Sequence, residues 1–212
     1  MKRGVFITFE GIEGSGKSTQ ARLLLDWLVL HKMPCIMTRE PGGTEVGEAI
    51  RSILLNPAYR RLSAKTELLL MLAARAQLTS EVVLPAIGDG KIVISDRFSD
   101  STFAYQVSGR DLPLRPTMLF NRFATCGLKP DLTFLVDIPV EKGLGRAKQQ
   151  GADRFEAEDV SYHQKVRQGY LRLAKRARGR IKLLDGNQAI DEIQGTIRER
   201  TEALLLKRGY KP

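Results

Sequence analysis

Residues 5–18 read VFITFEGIEGSGKS, and this stretch decides the fold. Val5–Phe9 is a short, mostly apolar run, the composition of a strand covered on both faces. Gly11–Ser18 (GIEGSGKS) follows and fits the pattern G-x-x-x-x-G-K-[ST]. A helical stretch near Lys17–His31 comes next. The glycines let the backbone curl until several N–H groups face one anion, and the helix adds its positive N-terminal end. In this motif Lys17 reaches the β- and γ-phosphates and the Ser18 hydroxyl ligates Mg²⁺. Strand, loop and helix in that order are the context the motif needs. Gly11, Ile12, Glu13, Gly14, Ser15, Gly16, Lys17, Ser18 and Thr19 are therefore the expected nucleoside-triphosphate loop.

Working outward, four more apolar runs read as strands: Cys35–Thr38, Ile92–Ser95, Thr133–Asp137 and Ile181–Asp185. Helical stretches lie near Val46–Leu55, Ala64–Ile87, Arg115–Cys126, Val140–Gln150, Ser161–Ala177 and Ile190–Lys207. This alternation predicts a single α/β domain over residues 1–212, a five-stranded parallel sheet with helices on both faces and right-handed crossovers. No repeat or linker interrupts it.

Composition narrows the class. The 212 residues are 42% hydrophobic and 27% charged, which excludes collagen-like and disordered chains. Cys35 and Cys126 form no Cys-x-x-Cys pair, and with only His31 and His163 beside them no structural zinc set is expected. The N-terminal apolar run stops at Glu10 and is no signal peptide. The longest apolar run, Leu68–Ala74, is far short of a membrane span. A cytoplasmic protein without a membrane partner is expected. Lysine plus arginine (34) exceeds aspartate plus glutamate (24) by 10, which suits polyanionic ligands without choosing among them.

Two further clusters follow strands. Arg39-Glu40-Pro41-Gly42-Gly43-Thr44 follows the second, and residues 96–106 (DRFSDSTFAYQ) end and follow the third. Ligands of parallel sheets bind beyond the carboxyl ends of the strands, so Arg39 and Arg97 fall at the same edge as the phosphate loop. One such arginine reads equally as a surface salt bridge; two beside a phosphate loop point to a second anion site. Arg75 follows LLLMLAA, apolar on every face, so its helix is expected to be buried. A buried arginine needs partners: a ring carbonyl of a ligand, or an ion pair with Glu67 or another carboxylate.

Together FEGIEGSGKST, TREPGGT, the AAR-containing helix, DRFSDSTFAYQ and the Gly145–Glu156 segment resemble the thymidylate kinase family over nearly the whole chain. The resemblance implies a P-loop nucleoside monophosphate kinase fold, a homodimer, and transfer of the ATP γ-phosphate to dTMP with Mg²⁺, in dTTP synthesis. By the same resemblance Arg39 and Arg97 hold the dTMP phosphate, and Glu13 faces the acceptor's sugar and phosphate. Pro41 matches a proline that tends to be cis. Arg75, Ser101 and Thr102 meet the thymine, and Tyr105 crowds C2′. Asp96 joins Ser18 in organising Mg²⁺. Met71 stands one turn before Arg75 where relatives commonly have a phenylalanine, so the two can share one ligand.

Gly145–Glu156 corresponds to the family's lid. Some relatives keep a catalytic arginine in the phosphate loop and others in the lid; Gly14 leaves this chain to the second type. Arg154 and Lys148 are the candidate lid cations, with Arg146 against the adenine. Lys17, Arg97, Arg154 and Lys148 form the expected catalytic set. The inventory suits phosphoryl transfer, where the acceptor phosphate is already largely a dianion at neutral pH and positive charge does most of the work. His163 has no nearby partner in sequence, and the run Lys175–Arg180 reads as a solvated helix end. Other readings are another P-loop deoxynucleotide or deoxynucleoside kinase, against which TREPGGT argues, and a nucleic-acid-dependent ATPase. No nucleic-acid-binding motif is visible, so no nucleic acid partner is expected.

Overall fold

The computed structural model describes residues 3–59, 61–147 and 153–210. Its strands are β1 (Val5–Glu10), β2 (Cys35–Arg39), β3 (Ile92–Asp96), β4 (Leu132–Asp137) and β5 (Ile181–Asp185), in the order β2-β3-β1-β4-β5. Every pairing is parallel, with Val5 opposite Ile92 and Ile7 opposite Leu132. The predicted sheet is present, but not all its strands are fully buried. β2 is half-exposed and β5 is buried only at Ile181 and Leu184, because these two stand at the edges while β1, β3 and β4 lie between neighbours.

Alternation along β1 sends Val5, Ile7 and Phe9 to one face and Phe6 to the other. The first face packs on α1 (Lys17–Leu30) and α9 (Ile190–Lys207) through Leu24, Leu28, Ile193, Ile197 and Leu205. Phe6 and Val93 pack on α3 (Ala64–Leu78) and α4 (Leu84–Gly88) through Leu78, Ala86 and Ile87. The Thr79–Val83 stretch between them is π-helical, making one continuous 25-residue helix. Leu135 on β4 and Ile181 on β5 meet Val166, Tyr170 and Ala174 of α8 (Val160–Arg176). Helices α2 (Glu45–Leu55), α3 and α8 start where Thr44, Ser63 and Asp159 accept a backbone N–H from their first turns. A short α5 (Ser99–Thr102) continues into a π-helical stretch, Phe103–Gly109, which sequence periodicity does not reveal. Helices α6 (Leu114–Ala124) and α7 (Val140–Ala147) complete the fold.

Candidate active site

β1, β2 and β3 deliver their carboxyl ends to one edge, and the loops that follow them wall a cleft of about 580 Å³. The loop after β1 holds Gly11, Gly14 and Gly16 at positive φ (148°, 66° and 90°). A Cβ on Gly14 would lie 2.1 Å from the Gly143 carbonyl of α7, so position 14 admits no side chain, cationic or otherwise. Lys17, the first residue of α1, is buried, and burial together with Arg97 lowers its pKa. Ser18 donates its hydroxyl to Asp96 Oδ2 at the end of β3, while Asp96 Oδ1 is buried with no protein hydrogen-bond partner. That pair of oxygens suits a hydrated divalent cation.

Five arginines line this cleft, Arg39, Arg51, Arg75, Arg97 and Arg146, and the three expected to meet the acceptor are held in three ways. Arg39 is exposed and, among the described residues, donates only to Glu48, at 3.0 Å to each carboxylate oxygen. Arg97, at φ 72°, is largely buried. Its Nη1 meets Gly11 O at 2.9 Å, Tyr170 Oη at 3.0 Å and Ser101 Oγ at 3.3 Å, and its Nη2 meets Glu13 Oε1 at 3.0 Å. Five N–H groups thus face four protein acceptors, which leaves donor capacity for an anion. Arg75 is saturated. Glu40 takes its Nε (2.8 Å) and Nη2 (2.6 Å), Phe98 O takes Nη2 (3.0 Å), and Thr102 (2.6 Å) and Asn121 (2.7 Å) take Nη1. The buried ion pair weighed for Arg75 is therefore made with Glu40, not Glu67. To donate to a ring carbonyl, Arg75 must release one of these contacts. The Thr102 hydroxyl, which accepts from Arg75, keeps its proton for another acceptor.

Glu13 sits between these groups. Its Oε1 accepts from Arg97 and, at 2.6 Å, from Tyr105 Oη, and the Arg97 guanidinium stacks 5.0 Å from the Tyr105 ring centroid. Against the burial that would raise it, Arg97 and Lys17 hold the Glu13 carboxyl below its usual value. Glu13 Oε2 faces His163 Nδ1 at 3.7 Å. His163 is thus packed against the site, although nothing near it in sequence suggests so.

Glu13–Thr19, Arg39, Pro41, Met71, Arg75, Asp96, Arg97, Ser101, Thr102, Tyr105 and Arg146 all line the one cleft. The Glu40–Pro41 bond is cis. Three expected residues do not line it. Gly11 lies under the loop, with its carbonyl on Arg97. Ile12 is a core residue packed with Ala104 and Leu135. Arg154, expected as a lid cation, is buried: Nε donates to Leu54 O at 2.8 Å and Nη1 pairs with Glu67 at 2.8 Å. Its Nη2 is buried with no hydrogen-bond partner among the described residues. Lys148 lies outside the described residues. Arg146 is at the mouth, 3.3 Å from Gly14 O.

The sequence reading missed Glu10 and Tyr170. Glu10 is wholly buried behind Arg97, accepting from Phe98 N (2.9 Å), Ser101 Oγ (2.6 Å) and Tyr170 Oη (2.9 Å). Burial and the neighbouring Asp100 raise its pKa to about 7. An acidic residue ending an apolar central strand was the available signal. Tyr170, 160 residues away on α8, offered none.

Residues 9–197 match the family model described as thymidylate kinase. The chain belongs to the thymidylate kinase family. It is 46% identical over 204 residues to a thymidylate kinase of Symbiobacterium thermophilum, covering 96% of this chain and 95% of that protein. One from Geotalea daltonii is 49% identical over 197 residues, covering 89% and 92%. A crystal structure of thymidylate kinase from Ehrlichia chaffeensis superposes with a TM-score of 0.78 at 30% identity, covering 94% of this chain and 99% of that one. As a thymidylate kinase family member the protein is an ATP-dependent phosphotransferase that makes dTDP from dTMP.

Proposed function

We propose that the cleft runs this transfer with the Gly11–Ser18 loop cradling ATP and Arg97 and Arg39 receiving the dTMP phosphate. One observation carries the reading: the phosphate loop, the Ser18–Asp96 pair and an arginine with uncommitted donors share one cleft at the carboxyl edge of the sheet. Ser18 and Asp96 would hold Mg²⁺, which when bound neutralises charge on the transferring phosphates. Lys17 and Arg97 bring two anions together in line, the main obstacle in a reaction that needs no strong base. Met71 and Thr102 wall the end that takes the thymine, with Arg75 ordering Thr102; Tyr105 crowds the sugar. Arg146 lies toward the adenine.

The enzyme works in the cytoplasm as a homodimer. Leu119, Phe120 and Phe123 on α6 are exposed, Phe123 at 87%, beside α3 with its exposed Leu69. A second copy of this face would cover them.

A coupled ADP-release assay over a panel of nucleoside monophosphates tests the assignment. dTMP should exceed dUMP in kcat/KM by roughly tenfold or more, the usual worth of one methyl group in a fitted pocket. Equal values would remove the thymine from the Met71–Thr102 end.

A further inference from the structure

We infer that Glu10 and Tyr170 are positioning residues for Arg97, acting on its guanidinium through a layer of oriented hydroxyl groups. The inference rests on the proposed placement of the dTMP phosphate at Arg97. Neither residue lines the cleft, so neither can touch substrate, and whatever they do reaches the reaction through Arg97.

The argument begins with what each group can donate. A guanidinium only donates, so Tyr170 Oη and Ser101 Oγ, at 3.0 and 3.3 Å from Arg97 Nη1, must accept from it. Each hydroxyl then has one proton left. Both protons go to Glu10 Oε2, from Ser101 at 2.6 Å and from Tyr170 at 2.9 Å, and the two hydroxyl oxygens lie 2.7 Å apart. The Glu10 oxygen accepts from both hydroxyls, so the chain of donors ends there and both hydroxyls turn their lone pairs toward Arg97.

The same carboxylate also holds the backbone. Arg97 adopts φ 72°, a left-handed conformation that a side chain with a Cβ disfavours and that persists only when its surroundings over-determine it. Its N–H donates to Phe9 O at 2.9 Å, and its carbonyl accepts from Ser95 Oγ at 2.7 Å. The next N–H, of Phe98, donates to Glu10 Oε1 at 2.9 Å. One oxygen of Glu10 thus fixes the backbone just after Arg97, and the other fixes the far end of its side chain. Tyr170 carries α8 into this arrangement, and the π-helical stretch packs between through Tyr105, whose ring lies 6.1 Å from that of Tyr170.

Steady-state kinetics of Tyr170→Phe, Arg97→Ala and the double variant test this, with Glu10→Gln as a second probe of the same chain. Tyr170→Phe removes a single oxygen and leaves the ring to pack. It should lower kcat/KM for dTMP roughly 10- to 150-fold, the range for losing one hydrogen bond to a charged group, and leave KM for ATP within about twofold. Glu10→Gln, if it folds, should act in the same direction. In the Arg97→Ala background, Tyr170→Phe should have no further effect beyond about twofold, because the hydroxyl acts only through the missing guanidinium. A Tyr170→Phe enzyme with unchanged kcat/KM for dTMP, beside an impaired Arg97→Ala enzyme, overturns the inference and leaves the site assignment standing. So do losses that multiply independently in the double variant, which would mean a packing role alone. An Arg97→Ala enzyme with normal kcat/KM for dTMP overturns the assignment of Arg97 and this inference with it.

Discussion

Glu67 and Glu10 are both wholly shut off from solvent, yet their neighbours treat them in opposite ways. Glu67, on α3, is met by two arginines: Arg110 at 3.0 Å and Arg154 at 2.8 Å, with Gln106 Nε2 also at 3.0 Å. Arg110 continues to Glu158, so the charges tie α3, the π-helical stretch and the segment before α8 into one network. Glu10 receives only neutral donors directly: one amide and two hydroxyls. The Arg97 guanidinium stands one hydroxyl layer away. A carboxylate matched with full counter-charges clamps pieces of chain together. One solvated by neutral dipoles is left close to its titration point and holds a neighbouring cation free for a ligand.

The strongest way to break the contrast is Glu67→Gln, which strips the buried Arg154 of this counter-charge and leaves Arg110 with Glu158. Breaking a buried pair from one side costs roughly 3–5 kcal/mol, so the denaturation midpoint should fall sharply. A variant with unaltered stability would mean that Glu67 is no clamp.

Glu10 should reveal itself through pH. Its folded-state pKa, about 7, lies above the unfolded value of 4.5. Between those values the folded state binds a proton that the unfolded state does not, so the stability contributed by Glu10 falls as pH rises from about 4.5 to 7. The loss amounts to about 3 kcal/mol in all, at 1.4 kcal/mol per unit. Other groups titrate in the same window, so the measurement is the stability of the wild type minus that of Glu10→Gln, followed from pH 5 to 8. A difference that stays flat or rises contradicts the contrast.

Arg154→Ala sharpens it further. Glu67 keeps Arg110 and Gln106, so the stability loss should be smaller, roughly 2 kcal/mol, the scale of a hydrogen bond to a charged group. A fall in kcat with unchanged stability would instead return Arg154 to the cleft, as its place in the lid segment implied. The smallest effect belongs to Ser101→Ala, which removes one donor from Glu10 and should cost about 1 kcal/mol. Ser101 helps hold the carboxyl down, so the pH at which Glu10 titrates should move up in the same wild-type-minus-Glu10→Gln comparison, repeated in that background.

Most of the architecture was legible in the chain itself. Local patterns carry it: an apolar strand before a glycine loop and a helix, repeated strand–helix alternation, and arginines placed just after strand ends. A parallel sheet brings those ends to one edge whatever the surrounding detail, so Lys17, Ser18, Asp96, Arg39 and Arg97 meet in one cleft. What stayed hidden depends on which distant side chains share a buried volume. Arg154 reads in sequence as a candidate lid cation; the fold pairs it with Glu67, 87 positions earlier. Arg75 reads either as a base-contacting arginine or as half of a buried ion pair; the structure shows the pair with Glu40 and bonds to Thr102, Asn121 and Phe98.

The sequence by itself therefore determined the parallel α/β domain, the phosphate loop and the family, because these rest on short-range spacing and on the rule that ligands gather at the carboxyl ends of parallel strands. Only the tertiary structure decided which charges are paired and which stay available to a ligand. In a low-dielectric interior each buried charge must find a partner or shift its titration, and the partners of Arg154, Arg75 and Glu10 come from elements separated by tens of residues or more.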